Sequence, residues 1–205
     1  MANAAAARIA GRLVQARELA EPALRRAQAT AYRPIVARAH LELAAAEGAL
    51  GLEDEALVEA TEAHFLGAAT DQYDVAARAA ALATEALPTE STSGPVAQLW
   101  HRAGTSAALR LEDGELIGAD IDVRYGAFLL SLTHAAEATP VLDRAIEVLQ
   151  RRLGPDAQEL WDAELLRARV WVMAERIDEA HAIAEQAQAH AEAHLAGAGG
   201  PRSGG

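Results

Sequence analysis

The stretch GLEDEALVEATEA, residues 51–63, contains the pattern that decides the fold. It begins with a glycine suited to a turn and an acidic cluster, and alanines then occupy positions 56, 60 and 63. At about 3.6 residues per turn, this spacing places the three alanines on one stripe of a helix. Because alanine is narrow and favours helices, the stretch predicts a helix that packs closely against a neighbour along that stripe.

The same stripe returns along the chain at a nearly constant interval. Alanines that begin a helix after a turn stand at positions 16, 56, 97, 138 and 180, which by subtraction are 40, 41, 41 and 42 residues apart. A small residue follows each of them seven positions later, namely Ala23, Ala63, Gly104, Ala145 and Ala187. We expect the four alanines of this set to be buried at close contacts between helices. Such a period is typical of a helical hairpin that buries its apolar stripe only by stacking on neighbouring hairpins.

Helical periodicity extends over almost the whole chain, with prolines and glycines between the apolar runs and no alternation of the kind that strands show. The pattern predicts helices near 12–28, 34–49, 53–68, 72–87, 95–109, 114–132, 135–152, 157–174 and 176–196. We expect Pro22 to kink its helix, and Pro140 either to kink its helix or to delay its start. The Gly-rich tail, residues 197–205, is expected to be disordered because it has nothing to bury.

The composition argues against several classes of function. The formal net charge of −12 disfavours binding to nucleic acid and to anionic membrane surfaces, both of which attract basic proteins. The chain has no cysteine, which excludes disulfides and thiolate zinc sites, and no lysine, which excludes Schiff-base chemistry and the lysine of a phosphate-binding loop. No uncharged stretch approaches the roughly 20 residues of a membrane span. We therefore expect a cytoplasmic, non-catalytic protein without a cofactor.

Two stretches have residue types that bind metals, but neither predicts a metal site. His190 and His194 are one turn apart with Glu192 between them, at the end of a solvated helix. LEDGELIGADID, residues 111–122, has the acids of a calcium loop without the ligand order of an EF-hand. No metal ligand and no catalytic residue is therefore predicted.

The repeat resembles the tetratricopeptide repeat (TPR), whose second helix carries the pattern A-x3-[A/F]-x2-A. The matching segments are EALVEATEA at 55–63, EATPVLDRA at 137–145 and EAHAIAEQA at 179–187, and Tyr125-Gly126 stand where the family has its Leu-Gly pair. The long period and the segment RAIEVLQRRLGPD at 144–156 resemble the longer repeats of kinesin light chains and of the C-terminal arrays of bacterial serine/threonine kinases. The resemblance implies an all-α, right-handed superhelical solenoid of stacked antiparallel hairpins over residues 1–196.

The first hairpin of this array is expected to be incomplete. Ala16 belongs to a second helix, yet only some ten residues precede the turn at Gly11. RLVQARELA, residues 12–20, would then expose an apolar edge, whereas solenoids need polar terminal caps. We expect either that the chain is part of a longer protein or that it covers this edge by self-association.

The resemblance implies that the chain binds proteins or peptides. In the family, the first helix of each hairpin lines the concave side, and five arginines of this chain lie on the predicted first helices. With two aromatic residues as apolar anchors, the candidate peptide-binding groove consists of Arg38, Arg78, Arg124, Tyr125, Arg167, Arg169 and Trp171. Guanidinium groups favour an acidic or C-terminal segment, because each grips a carboxylate at two points. The alternative is that the arginines are merely solvated and the aromatic rings fill gaps between hairpins.

Two functions fit these expectations. The first is a protein–protein interaction scaffold, as a sensor or recruitment segment of a bacterial signalling protein such as a serine/threonine kinase. The alternative is an inducer- or partner-binding regulatory array of an ATP-dependent transcription activator. A long groove would favour the scaffold, and a deep polar pocket would favour the inducer.

Overall fold

The computed structural model of the protein describes residues 1–198, with side chains described for residues 1–90 and 92–189. The described residues form ten α-helices and no strand. The helices are α1 (Ala2–Ile9), α2 (Leu13–Ala29), α3 (Arg33–Ala49), α4 (Glu53–Ala69), α5 (Tyr73–Glu85), α6 (Gly94–Ala108), α7 (Glu115–Ser131), α8 (Ala135–Leu153), α9 (Gln158–Met173) and α10 (Ile177–Ala198). None of them combines the length and the apolar character that crossing a membrane requires.

The nine helices that the periodicity predicts are all present, and α1 is an addition. The helix α8 begins at Ala135 and continues through Pro140, so the delayed start considered for Pro140 is wrong. Helix α2 likewise continues through Pro22. Of the tail predicted to be disordered, residues 197–205, the first two belong to α10, and the others lie outside the described residues.

The helices are arranged in two layers of a right-handed superhelical solenoid. We call α1, α3, α5, α7 and α9 the inner helices and α2, α4, α6, α8 and α10 the outer helices. Each inner helix contacts the next inner helix, and each outer helix from α2 to α8 packs between two inner helices. The inner helices therefore form a continuous wall, with the outer helices behind it.

Short turns with one residue in the left-handed conformation join most of the helices. The residues with positive φ in these turns are Gly11, Ala31, Gly51, Asp71, Thr133, Gly154 and Glu175. At Gly51, whose φ is 74°, the following amide of Leu52 donates to the carbonyl oxygen of Glu47 at 3.0 Å. The amide of Leu50 donates to the same oxygen at 3.0 Å, and the two bonds together close the end of α3 where the chain reverses into α4.

The stripe of small residues lies at close contacts between helices. All five alanines that begin the outer-helix pattern are buried, and so are Ala63 and Ala145, each at 0% exposure. Ala23 and Ala187, also expected to be buried, are only half-buried. Ala23 lies beyond the reach of the eight-residue α1, and α10 packs against one inner helix rather than two.

Candidate binding groove

A groove of about 630 Å3 runs along the inner layer. It is lined by all five inner helices and by the end of α8. Apolar side chains provide much of its surface, namely Leu41, Leu82, Leu116, Ile117, Val123, Leu149 and Leu153. Of its helices, α3, α5, α7 and α9 were expected from the sequence, whereas α1 and α8 were not. The inner helices thus present one trough to which a ligand has access.

Two of the seven candidate site residues, Arg78 and Arg124, line this groove. Arg124 pairs with Glu85 and with Asp120, whose Oδ2 lies 3.1 Å from Arg124 Nε. Burial lowers the pKa of Arg124, but these two carboxylates raise it by more, so the net shift is upward. Arg124 is therefore charged and already occupied. Arg78 is exposed and forms no ion pair with any residue in the described part of the chain.

Two further candidates, Arg38 and Arg169, are exposed beside the groove rather than in its lining. Arg38 donates through Nε to Oε1 of Gln72 at 2.9 Å, and its Nη2 lies 3.6 Å from Oδ2 of Asp74. It therefore links α3 to the start of α5. Arg169 lies seven residues after the groove residue Asp162, on the same stripe of α9.

The remaining candidates do not line the groove, so the expected site is wrong at Tyr125, Arg167 and Trp171. Tyr125 is only 7% exposed, and its ring stacks on His101 with centroids 4.4 Å apart, so it belongs to the core and supplies no anchor in the groove. Burial, and then the charge of Glu137, raise the pKa of its phenol.

Arg167 and Trp171 contact each other and residues outside the groove lining. Arg167 pairs with Glu164, and its Nη1 lies 3.8 Å from Oδ1 of Asp143 on α8. Two guanidinium groups lie over the Trp171 ring. The Cζ atom of Arg167 is 4.9 Å from the ring centroid, and that of Arg176, in the turn before α10, is 5.2 Å from it. Neither Arg167 nor Trp171 is among the residues that line the groove.

The groove also contains charged residues that the sequence analysis missed. They are Arg8, Glu42, Asp120, Glu159 and Asp162. The groove therefore has mixed charge and not the basic stripe expected from the arginines alone. The four acidic residues lie on the same predicted first helices as the arginines. They could therefore have been predicted from the sequence by listing the acidic residues of those helices along with the arginines. Arg8 was missed because α1 was not predicted.

Buried polar residues elsewhere connect one helix to the next. Asp122 of α7 lies 2.6 Å from Nε2 of His101 on α6, and it accepts from Nη2 of Arg144 on α8 at 3.1 Å. His40 Nδ1 lies 2.5 Å from Oε2 of Glu59, joining α3 to α4. No group of three or more metal-binding side chains occurs within the described ranges. The side chains of His190 and His194 lie outside those ranges.

No protein-family model matches the sequence, and no curated protein does. Among solved structures, the fold is similar to the crystal structure of BtubC (BKLC) from P. vanneervenii, a kinesin light chain-like TPR protein, with a TM-score of 0.73. The match covers 98% of this chain and 82% of that chain at 20% sequence identity. At this identity the likeness concerns the fold alone, and that fold is a TPR-like array of helical repeats.

Proposed function

We propose that the chain is a non-catalytic scaffold that binds an extended segment of a partner protein in its concave groove. The observation that supports this proposal is the trough of about 630 Å3, which reaches from α1 to α9 with apolar residues and charged side chains in its lining. A segment laid in this trough buries apolar side chains and keeps its polar groups beside charged ones. A TPR-like fold suggests protein–protein interaction in general.

The affinity for such a segment is expected to be roughly micromolar. A segment that is flexible in its free state loses conformational entropy when it binds, and this loss offsets much of the contact energy. Weak, reversible capture suits a recruitment function, because the partner leaves the groove quickly once its local concentration falls.

The biological setting that we propose is a sensor or recruitment segment of a bacterial signalling protein, such as a serine/threonine kinase, in the cytoplasm. Its support is the resemblance of the long repeats to the C-terminal arrays of those kinases. The competing function is a regulatory array of a transcription activator that holds a small inducer. The groove volume is also consistent with this alternative, because small-molecule sites occupy roughly 300–1,000 Å3.

Site-specific photo-crosslinking in the native host tests these functions. A photo-reactive amino acid replaces Leu82, which lines the groove, and a matched variant carries it at Leu99, which is 64% exposed on the outer helix α6. The scaffold function predicts that a signalling protein is crosslinked from Leu82 and not from Leu99. Crosslinking from Leu99 alone would place the binding surface on the outer layer. A small molecule that copurifies with the chain and crosslinks from Leu82 would favour the inducer.

Self-association through the N-terminal edge also belongs to the proposal. Helix α1 buries Ala4 and Ala7 against its neighbours but leaves Ile9 81% exposed and Val14 63% exposed. Two copies that meet through this edge would remove both apolar side chains from water. In sedimentation velocity, we expect an Ile9→Ser/Val14→Ser variant to lose any dimer that the unchanged chain forms. A chain that stays monomeric at high concentration contradicts this part of the proposal.

A further inference from the structure

The charges in the groove indicate which kind of segment it binds, and this inference rests on the function proposed above. At one end, formed by α1, α3 and α5, Arg8 and Arg78 line the groove, and neither forms an ion pair with a described residue. At the other end, on α9, Glu159 and Asp162 line it, and neither of them forms an ion pair within the described ranges. Asp162 accepts one hydrogen bond, from Nε2 of Gln158 at 2.9 Å. The two ends therefore offer charges of opposite sign.

The middle of the groove offers no unpaired charge of this kind. Arg124 lies between the two ends on α7, and it is occupied by Asp120 of its own helix and by Glu85 of α5. A ligand that competed for Arg124 would have to break contacts that are already made. Selection by charge is therefore concentrated at the ends, with the apolar residues of the groove between them.

Two buried polar atoms at the α1–α5 end also lack a partner. They are Nε of Arg8 and Oε2 of Glu42. Both atoms are shielded from solvent, so a bound carboxylate would reach Arg8 through its terminal Nη groups rather than through Nε. Two guanidinium groups against one carboxylate leave this end with a net positive charge. It therefore favours an acidic group of the ligand, while α9 favours a basic one.

We propose that the groove selects an extended peptide with an acidic group at the α1–α5 end and a basic side chain at the α9 end. Only α7 separates α5 from α9, and two steps of about 8–10 Å between packed helices give at most about 20 Å. An extended chain advances about 3.3 Å per residue, so an acidic group held by Arg78 of α5 stands at most about six residues from the basic side chain. One held by Arg8 of α1, two inner helices further along, stands at most about twelve residues from it. The acidic group is a side chain or a C-terminal carboxylate.

Displayed peptides test the charge pattern. Peptides with a randomised apolar interior are made in matched sets that end in Glu and Arg, Glu and Glu, Arg and Arg, or Gln and Gln. The set with opposite charges includes both chain directions, and one arm carries an amidated C-terminus to separate a side-chain carboxylate from a terminal one. We expect peptides with opposite charges to bind about threefold to tenfold tighter than the neutral set, and tighter than either set with like charges.

Charge reversal in the protein provides the matched control. The variant Arg8→Glu/Arg78→Glu should shift the preference to the Arg and Arg set, and Glu159→Arg/Asp162→Arg should shift it to the Glu and Glu set. Arg102→Glu and Glu62→Arg, both on exposed outer-layer positions, should leave the preference unchanged. A shift of preference cannot result from misfolding, because a misfolded variant would lose all peptides alike.

The outcomes separate this inference from the proposed function. Peptides that bind the groove with no dependence on terminal charge, or with the Glu and Glu set preferred, would overturn the inference and leave the scaffold function in place. A complete lack of binding by every set would overturn both. Binding that persists in the charge-reversed variants with the original preference would place the recognition outside these residues.

Discussion

Replacing Ala63 or Ala145 with leucine tests the close helix packing on which the solenoid depends. Both alanines have 0% exposure. Ala63 of α4 packs in a cluster with Ala37 of α3 and with Val75 and Ala79 of α5. A leucine at position 63 would place an isobutyl group in the space of a methyl group, between two inner helices.

The change in the free energy of unfolding depends on whether the neighbouring helices leave room for the larger side chain. With room available, the added carbons would stabilise the fold by about 2 kcal/mol, at roughly 0.8 kcal/mol per buried methylene. Without it, the neighbouring helices must move apart, and we expect each substitution to cost about 1–3 kcal/mol. If the free energy of unfolding falls by about 2 kcal/mol per M urea, the midpoint of urea unfolding should fall by about 0.5–1.5 M.

The matched control is Ala68→Leu, on the same helix as Ala63 but exposed. It should change the free energy of unfolding by no more than about 0.5 kcal/mol. Circular dichroism during urea unfolding measures all three variants. Neutral results for both Ala63→Leu and Ala145→Leu would refute the assignment of these positions to close contacts between helices.

Three other changes test particular contacts. Gly126→Ala should lower the free energy of unfolding by about 1–2 kcal/mol, because the added Cβ would lie 2.6 Å from Leu142 Cδ2. The gain in helix propensity, about 1 kcal/mol, does not offset this clash. An unchanged Tm in thermal unfolding would show that Leu142 moves aside. Thr133→Gly should raise stability by about 1 kcal/mol, because Thr133 has a φ of 63°, and a lower Tm would contradict this strain. Burial, and then the charge of Glu59, raise the pKa of Glu47, so the folded state holds this proton more tightly than the unfolded chain. The free energy of unfolding should therefore fall as pH rises from about 4.5 through the raised pKa of Glu47. In urea unfolding at several pH values, Glu47→Gln should lack the part of this fall that Glu47 causes. An equal fall in both proteins would contradict a raised pKa at Glu47.

The outer-layer pattern could be predicted because it depends on the size of single residues. Ala56, Ala97 and Ala138 recur with turns before them, and each is at most 1% exposed. Helix α1 could not be predicted in this way. An isolated helix of eight residues is unstable in water, and α1 forms because Ala4 and Ala7 pack against α2 and α3.

The candidate site was harder to predict, because the sequence assigned helices to the groove without fixing their rotation. Neighbouring residues point about 100° apart on a helix, so Arg124 and Tyr125 do not share a face. Arg124 lines the groove and Tyr125 packs in the core. The pair between Arg124 and Glu85 of another helix was also hidden, since only the packing of α5 on α7 brings them together.

A crystal structure of the chain with a bound segment of its partner tests the central claim most directly. The account predicts an extended segment in the concave groove, with apolar side chains against Leu82, Ile117 and Leu149. Its acidic group should lie near Arg78 and its basic side chain near Asp162. A segment bound to the outer helices, with the groove unchanged, would contradict the account.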